Sequence, residues 1–329
     1  MAADPPRPPG GHDNLGPVIQ DTPPRLRFAV GPSPQGFPLA DAPAFISSID
    51  DALARHADAQ VESLEISLVF RPPPPLYIPS TGQYAREHPH ATLINADHVA
   101  AWLRYGMGRA AESFVLEVPP SPPPNQGMAL DLPPSAVAVT MALTLGNAAL
   151  ALPALAEASF HALTDLLLSH ARIDDGDRLS ELLSSPCLKR LRLEYLVGVA
   201  ELDLRVEELE ELTITGARDL RCLVVNAPCL RTLCVSECSS LECDKGELAI
   251  SAPALEALTC SSMCKFPGLQ FDAPSVREIG KLPLWTHGHA DQASRNEASI
   301  WIIKHCTTVR RLDLHLHVPH VSFERMLHE

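Results

Sequence analysis

The sequence predicts an α/β solenoid built from short repeats, because one phrase recurs at regular spacing through the second half of the chain. The phrase is Pro-x-Leu-x-x-Leu, and it begins at Pro186, Pro228 and Pro253, with a looser copy at Pro274. Its first apolar positions lie 25, 21, 21, 25 and 21 residues apart, in the series Leu163, Leu188, Leu209, Leu230, Leu255 and Val276. Such a period indicates coils that bury one apolar seam against their neighbours.

The repeat also fits a known template, L-x-x-L-x-L-x-x-N/C. Residues 230–238 match all four of its defined positions, with Leu230, Leu233, Val235 and Cys238. A second marker precedes each Pro, at 202–204, 223–225, 248–250 and 269–271. Each unit should therefore contain two extended segments joined by a Pro corner, since Pro has no N–H to give to a strand ladder. We predict a leucine-rich-repeat horseshoe of irregular repeats, about 21–25 residues each.

The first half of the chain alternates helical and extended patterns. The first predicted helix follows Asp41 and ends near His56, and a strand at 61–68 comes next. A second helix, capped by Asn95 or Asp97 and closed by Gly106 or Gly108, precedes a strand at 114–116 and a strand around 143–145. Helices are thus expected on the convex side of the N-terminal half. Extended corners replace them in the second half, apart from a helix at 294–305 before a strand at 309–314.

Composition bounds the domain organisation and the classes of partner. Residues 1–24 are rich in Pro, Gly and Asp and are predicted to form a disordered tail, with one repeat domain at 25–329. With 46% hydrophobic and 20% charged residues, the chain can bury a large core. The net charge of −14 argues against nucleic acid, which needs clustered Lys and Arg. A solvated acidic surface is favoured over a dedicated site for a basic partner.

The most apolar stretch, 136–158, is long enough to raise the question of a membrane helix. Polar residues and Pro153 interrupt it, and Gly146-Asn147 would divide it, so we predict two buried strands and no membrane insertion. The first nine residues lack the basic end and apolar run of a secretory signal. Nine Cys, an odd number, then indicate free thiols in a reducing compartment, and we expect the cytoplasm or nucleus.

Two groups of residues invite a metal hypothesis. Cys234, Cys238 and Cys243, with Cys260 and Cys264 further on, have spacings that zinc sites use. Cys238 and Cys260 also occupy inward positions of the repeat, so burial as small apolar side chains is the favoured interpretation. The second group is His287 and His289, with His315, His317 and His320, for which surface positions are favoured over ligation. We therefore expect no metal, no cofactor and no catalytic residue, since no motif supplies a nucleophile with its base.

Strand geometry points to one candidate binding surface. If Leu191 and Leu193 face inward, the residues between and beside them face outward along the concave sheet. The predicted protein-binding stripe consists of Arg190, Arg192, Glu194, Glu211, Thr213, Thr215, Thr232, Ser236, Thr259, Arg311 and Asp313. Small polar and charged side chains suit protein recognition more than a small-molecule pocket. The alternative is that these side chains are simply solvated.

The chain resembles plant F-box/leucine-rich-repeat proteins, particularly those of grasses. The resemblance covers about 25–320 and rests on the helix at 45–56, Trp102-Leu103, the segment 150–168, and the phrases at 182–188 and 226–230. It implies the substrate-recognition repeat domain of a ubiquitin ligase of the SCF type. Ahead of Arg25 no F-box pattern is found, so the resemblance implies a Skp-type adaptor as partner only if an F-box lies outside this sequence.

The expected function is therefore a non-catalytic scaffold that binds a protein. One alternative is a free-standing interaction or decoy protein without a ligase link, whose F-box has been lost or whose gene prediction is truncated. A more distant alternative is an enzyme on a repeat scaffold.

Overall fold

A computed structural model describes ten stretches of the chain: 24–29, 42–68, 76–78, 83–85, 94–119, 128–154, 159–238, 247–260, 268–285 and 290–317. The predicted boundary between a tail at 1–24 and a repeat domain at 25–329 stays a prediction, because residues 1–23 lie outside these stretches.

The described residues form four helices and eighteen strands. The helices are α1 (Ala42–Arg55), α2 (Ala96–Arg109), α3 (Gly176–Leu183) and α4 (Ala290–His305). The strands are β1 (Arg25–Ala29), β2 (Val61–Ser67), β3 (Leu76–Ile78), β4 (Gln83–Ala85), β5 (Ala110–Glu117), β6 (Ala129–Asp131), β7 (Thr140–Ala151), β8 (Asp165–Arg172), β9 (Arg190–Glu194), β10 (Glu201–Arg205), β11 (Glu211–Thr215), β12 (Cys222–Asn226), β13 (Thr232–Ser236), β14 (Glu247–Ser251), β15 (Ala257–Cys260), β16 (Gly268–Asp272), β17 (Glu278–Trp285) and β18 (Arg311–His317).

Two parallel sheets run along the solenoid. The large sheet has twelve strands in the order β1-β2-β5-β7-β8-β9-β11-β13-β15-β17-β18, with β6 paired to β7. The small sheet has the order β10-β12-β14-β16. Its strands precede the corners of the repeat, which have Glu207 after β10 and Pro228, Pro253 and Pro274 after the other three. Strands β3 and β4 pair separately as an antiparallel ribbon. The solenoid and its second strand per repeat are therefore confirmed.

A leucine seam fills the space inside the coils. Leu191, Leu212, Leu233, Leu258 and Ile279 stand opposite one another on successive strands of the large sheet, and none is more than 1% exposed. Leu202, Leu223 and Leu248 form the matching row in the small sheet and are at most 2% exposed. Because no single coil could bury these side chains alone, stacking supplies most of the stability.

The Pro corner works as a tight turn between the two sheets. Before Pro228, the carbonyl of Ala227 accepts a bond from the Leu230 amide at 3.1 Å, and Ala252 accepts one from Leu255 at 3.0 Å in the next coil. The amides of Arg231 and Thr232 then both bond the Glu210 carbonyl of the preceding coil, at 2.8 and 3.1 Å. The missing N–H of each Pro falls in the turn, where no ladder bond is lost.

Helices α1 and α2 back the first coils, as predicted. Asn95 caps α2, and its side chain accepts the amide of His98 at 2.9 Å. The Trp102 indole donates to Asp50 Oδ1 at 2.8 Å, which ties α2 to α1. The expected closure at Gly106 or Gly108 is wrong, because α2 continues to Arg109. Glycine is needed at position 106 for space instead: an added Cβ would lie 2.2 Å from the Phe114 ring.

The stretch predicted as two buried strands, 136–158, differs in the structure. Residues 140–151 form the single strand β7, bent at Gly146 and Asn147, which have φ of 58° and 71°. Its first part pairs with β5 and β8, and its second part with β6 and the end of β8. Gly146 and Asn147, both with left-handed backbone, turn β7 while the strand continues to hydrogen-bond its neighbours on both sides of the bend. Residues 155–158 lie outside the described stretches.

Two helices of the second half complete the fold. The helix at 294–305 is confirmed as the latter part of α4, while α3 was not anticipated. Asp175 caps α3 by accepting the Arg178 amide at 3.0 Å, and Leu179 and Leu183 bury its inner face. Among the helices that the structure describes, none has the length and apolar character needed to cross a membrane.

Candidate functional site

The predicted stripe lies on the face of the large sheet opposite the leucine seam, which we call the outer face. In β9, Leu191 and Leu193 are buried, whereas Arg190 and Arg192 are exposed and Glu194 is half-buried. The same alternation holds in β11 and β13. It follows from the two-residue period of a strand, which sends neighbouring side chains to opposite faces.

Strand register aligns the outward residues into three rows that cross the outer face. The first row is Ser63, Ser113, Thr140, Asp165, Arg190, Glu211, Thr232, Ala257, Glu278 and Arg311. The middle row is Glu65, Val115, Ala142, Leu167, Arg192, Thr213, Cys234, Thr259 and Gly280. The third row is Ser67, Glu117, Thr144, Ser169, Glu194, Thr215 and Ser236.

The structure brings the predicted stripe residues together on this face. Ten of them lie in the three rows: Arg190, Arg192, Glu194, Glu211, Thr213, Thr215, Thr232, Ser236, Thr259 and Arg311. Asp313 lies beside them, across an irregularity in the pairing of β17 with β18. Their shared position follows from geometry, whereas their role in binding stays a prediction.

Sequence reasoning missed the rows on the N-terminal half of the outer face. There the middle row becomes apolar, with half-buried Val115, Ala142 and Leu167 on adjacent strands. The sequence contains a pattern that could have predicted these rows, because apolar residues alternate in β2, β5 and β8 as they do in the later strands. Along the middle row the outer face therefore changes from an apolar strip to the charged Arg192 and then to small polar side chains.

Ion pairs neutralise much of the charge on the first row. Arg190 forms a salt bridge and a hydrogen bond with Asp165 on the neighbouring strand. Burial opposes ionisation of Asp165, but the bonds from Arg190 and Thr164 outweigh it and hold the pKa of Asp165 below its ordinary value. Further along, Arg311 lies 4.0 Å from Glu278. These exposed pairs add little stability and mainly fix side-chain orientation.

Arg192, in contrast, points its charge toward solvent. Within the described part of the chain its side chain forms no hydrogen bond or salt bridge, and it acts on Asp165 only at longer range, where its charge helps to lower the pKa of that carboxyl. It stands in the middle row between Leu167 and Thr213, where the apolar strip meets the small polar one. An unpaired guanidinium beside an apolar strip suits a protein partner, because Arg is enriched in interface hot spots.

One edge of the outer face is shaped by residues with left-handed backbone. His170, Tyr195, Gly216 and Glu237 directly follow the third row, 25, 21 and 21 residues apart, with φ between 51° and 68°. The rings of His170 and Tyr195 lie 4.8 Å apart, and a Cβ on Gly216 would come within 2.4 Å of the Tyr195 ring. Burial lowers the pKa of His170, with Glu194 opposing the shift. The rim is therefore aromatic at His170 and Tyr195, where burial disfavours a charged imidazole, and it continues through Gly216 to the acidic residue Glu237.

The C-terminal part of the outer face contains a shallow cleft of about 240 Å³. It is lined by the small residues Ala257, Thr259 and Gly280 and by the charged residues Glu278, Arg311 and Asp313. Small-molecule sites usually range from about 300 to 1,000 Å³ and are more enclosed. The cleft fits a protruding side chain of a partner better than a metabolite.

The cysteines occupy the positions that the repeat predicts. Cys238 and Cys260 are fully buried, and the Cys238 thiol donates to the Ser236 carbonyl at 3.3 Å. Cys234 lies in the middle row, where burial raises the pKa of its thiol. Within the described stretches, no group of three or more His, Cys, Asp or Glu side chains is placed to hold a metal ion. Cys243, Cys264, His287, His289 and His320 lie outside those stretches.

The repeat architecture has a counterpart among known families. The family described as the leucine-rich repeats of the FBD-associated F-box protein At5g56370 matches residues 99–281, more than half of the chain. The chain belongs to this family. The matched residues run from α2 to β17 and include most of the outer face. No curated protein and no solved structure matches the chain.

Proposed function

We propose that this F-box-associated leucine-rich-repeat chain binds a protein on the outer face of its large sheet. The observation that carries the proposal is the continuity of the rows. The first row runs from β2 to β18, the middle row from β2 to β17, and the third from β2 to β13. Nearly all row residues are exposed or half-buried; Ser169, which bonds His170 at 2.7 Å, is the buried exception. Repeat solenoids bind partners across such extended faces, since each coil adds its own side chains to one surface.

We further propose that the bound protein is a substrate of a ubiquitin ligase of the SCF type, in the cytoplasm or nucleus. The support is the family, which is named for the repeats of an F-box protein. The repeat domain would hold the substrate, while an F-box would hold a Skp-type adaptor. The alternative is a free-standing interaction or decoy protein, which the same outer face would serve equally well.

The proposed role needs no catalysis by the chain itself. The nearest approach to a nucleophile and base among the described residues is Ser169 with His170, whose Oγ and Nδ1 lie 2.7 Å apart. Ser169 is only 3% exposed and the Tyr195 ring packs against His170, so a substrate carbonyl could not reach the hydroxyl. The Ser169 hydroxyl is therefore not proposed as the nucleophile of a hydrolase, because an attacking oxygen must come close to the substrate atom with which it reacts.

The first experiment tests the outer face. The double variant Arg192→Ala, Thr213→Arg removes the unpaired cation and fills the adjacent small position. We expect at least a tenfold loss of the proteins retained from a cell extract by the immobilised chain. A control, Arg205→Ala with Val224→Arg, also removes one arginine and adds another on adjacent strands, but in the small sheet, and should retain these proteins. Arg205 bonds Asp203, so the control also loses one exposed ion pair. Equal capture by the two variants would remove the outer face as the binding surface.

The second experiment separates ligase receptor from free-standing module. Binding of a purified Skp-type adaptor is measured for residues 1–329 and for the same chain with any in-frame sequence encoded upstream of Met1. Adaptor binding by either form supports the ligase role. If neither form binds the adaptor while substrate capture persists, the free-standing alternative holds.

A further inference from the structure

Three aliphatic side chains and one guanidinium occupy consecutive positions of the middle row. Val115, Ala142 and Leu167 lie on β5, β7 and β8, and Arg192 follows on β9. The aliphatic side chains are half-buried, whereas Arg192 is exposed. Neighbouring strands of a sheet are about 4.8 Å apart, so the four positions span about 14 Å. A partner that contacts all four must therefore present one side chain about every 5 Å.

The outer face offers a partner side chains but no backbone groups. The peptide groups of β5, β7, β8 and β9 point within the plane of the sheet, where each of these strands has a hydrogen-bonded neighbour on both sides. An extended segment lying on the aliphatic residues would therefore bury its own N–H and C=O groups without partners, which is costly. A helix pairs its peptide groups internally and presents only side chains. The face consequently favours a helical partner.

The dimensions of a helix also match the middle row. Positions i, i+3, i+7 and i+10 follow one face of a helix, and at a rise of about 1.5 Å per residue they span about 15 Å. This length is close to that of the four row positions, so each strand meets one turn of the helix. In an extended segment, side chains on one face recur about every 6.6 Å and would miss successive strands.

Size and charge along these four positions specify the side chains of the helix. Ala142 stands between the larger Val115 and Leu167, so a large apolar side chain fits over it. Arg192 forms no hydrogen bond or salt bridge within the described stretches, and a carboxylate of the partner supplies the missing counterion. Arginine recognises carboxylates well because its planar group donates two parallel hydrogen bonds. The row therefore selects apolar residues followed by an acidic one.

The two flanks of this path differ in charge. Over the same four strands, the third row contains Glu117 and Glu194. The first row contains two hydroxyl side chains and the ion pair of Asp165 with Arg190, which is already neutral. Basic side chains are therefore favoured on the third-row flank of the helix and are not needed on the other. This difference fixes the rotation of the helix about its axis.

We propose that the outer face binds an amphipathic helix with apolar residues at three successive positions of the series i, i+3, i+7, i+10, Asp or Glu at the fourth, and basic residues on one flank. The apolar residues cover Val115, Ala142 and Leu167, and the carboxylate pairs with Arg192. The series has the same spacing in both chain directions, so the acidic residue is its first or its last member. This inference rests on the proposed binding of a protein at the outer face and adds the kind of segment that is bound.

Selection from a random peptide library tests this proposal. Phage-displayed peptides of about 18 residues, or five turns of helix, are selected on the immobilised full chain. We expect the enriched peptides to share the spacing and the acidic residue described above. The most enriched peptide is then synthesised as the probe, and its dissociation constant is measured by fluorescence anisotropy. Ala142→Lys places a charge within the aliphatic strip and should abolish binding, while its thermal midpoint shows that the variant is folded.

Charge exchange gives a sharper result. Arg192→Glu should raise the dissociation constant of the probe at least tenfold, and exchange of the acidic residue of the probe for Arg should restore binding to this variant. Restored binding identifies the pair directly, because a general loss of stability would not be repaired by a change in the peptide. Arg218→Glu makes the same change at an exposed arginine between β11 and β12 and should leave the dissociation constant unchanged.

Two results would overturn the proposal. One is a selection that yields no peptides, or peptides whose apolar residues alternate or have no common spacing. The other is a probe that binds Arg192→Glu as tightly as the unaltered chain. The capture experiment with Arg192→Ala, Thr213→Arg separates these results from failure of the proposed function. If that variant loses capture, the outer face remains the binding surface and only the helix is removed, whereas capture equal to that of its control removes the surface itself.

Discussion

Gly106 occupies a position in α2 where no side chain fits. An added Cβ would lie 2.2–2.4 Å from three atoms of the Phe114 ring, and Phe114 is fully buried. Two positions further along the helix, a Cβ on Gly108 would meet nothing within 4 Å. The two glycines therefore separate two opposing effects of an added methyl group. One is overpacking of the core, and the other is the gain in helix propensity.

We expect Gly106→Ala to lower the free energy of unfolding by about 1–3 kcal/mol, the usual range for overpacking. Gly108→Ala should raise it by about 0.5–1 kcal/mol, since alanine restricts the unfolded chain and favours helix. Urea denaturation followed by circular dichroism measures both changes. A stabilising Gly106→Ala would mean that Phe114 can move away, so that close packing of α2 on β5 is not required.

Whether a side chain of the repeat faces inward or outward could be predicted from the sequence where the strand period alone determines it. The burial of Cys260 and the outward position of Arg192 follow from counting in twos along a strand. The burial of Cys238, which lies beyond β13, follows instead from its place at the last position of the repeat template. The left-handed backbone of His170, Tyr195 and Glu237 could not be assigned that way. Glycine is the usual marker for this conformation, and among the four rim positions it stands only at Gly216. The aromatic rim depends on contacts between coils, which a single coil's sequence does not reveal.

At the scale of elements, Asp50 links α1 to α2. Its Oδ1 accepts the Trp102 indole N–H at 2.8 Å, and its Oδ2 lies 2.9 Å from His98 Nδ1. Asp50→Ala leaves the indole N–H of a fully buried ring without this acceptor, which costs about 1–3 kcal/mol. Asp50→Asn keeps an acceptor and should cost clearly less. In a Trp102→Phe background, which lacks the donor, the effect of Asp50→Ala should shrink. Equal losses in both backgrounds would contradict the link.

Prediction of the elements succeeded where apolar periodicity and caps agree. The spacing of Phe45, Ile49 and Leu53 predicts α1, and Asn95 predicts the start of α2. It failed for α3, whose pattern of Asp175 followed by Leu179 and Leu183 is short and overlaps the 25-residue spacing of the repeat. It also failed at β7, because Gly146-Asn147 is a turn signal by itself and becomes a bend only when neighbouring strands hold both halves.

At the scale of the whole molecule, the repeat should tolerate removal of one complete coil. Residues 216–236 span 21 positions and end just before Glu237, which has the same left-handed backbone as Gly216. Deleting them removes β12 and β13 together and lets Glu237 follow Thr215 in place of Gly216. Leu212 then faces Leu258, and Leu202 faces Leu248, so both apolar seams stay in register.

Because solenoid stability is close to a sum over coils and their interfaces, we expect this deletion variant to unfold cooperatively. Its free energy of unfolding should fall by roughly 1–3 kcal/mol, in proportion to the residues lost at the stability usual per residue. Deleting only 216–226 removes β12 but keeps β13, so one coil loses its strand in the small sheet and cannot close. That control should lose cooperative unfolding of the coils that follow. Urea denaturation monitored by circular dichroism compares the two, and loss of cooperativity in both would show that the coils depend on long-range order rather than on nearest-neighbour stacking.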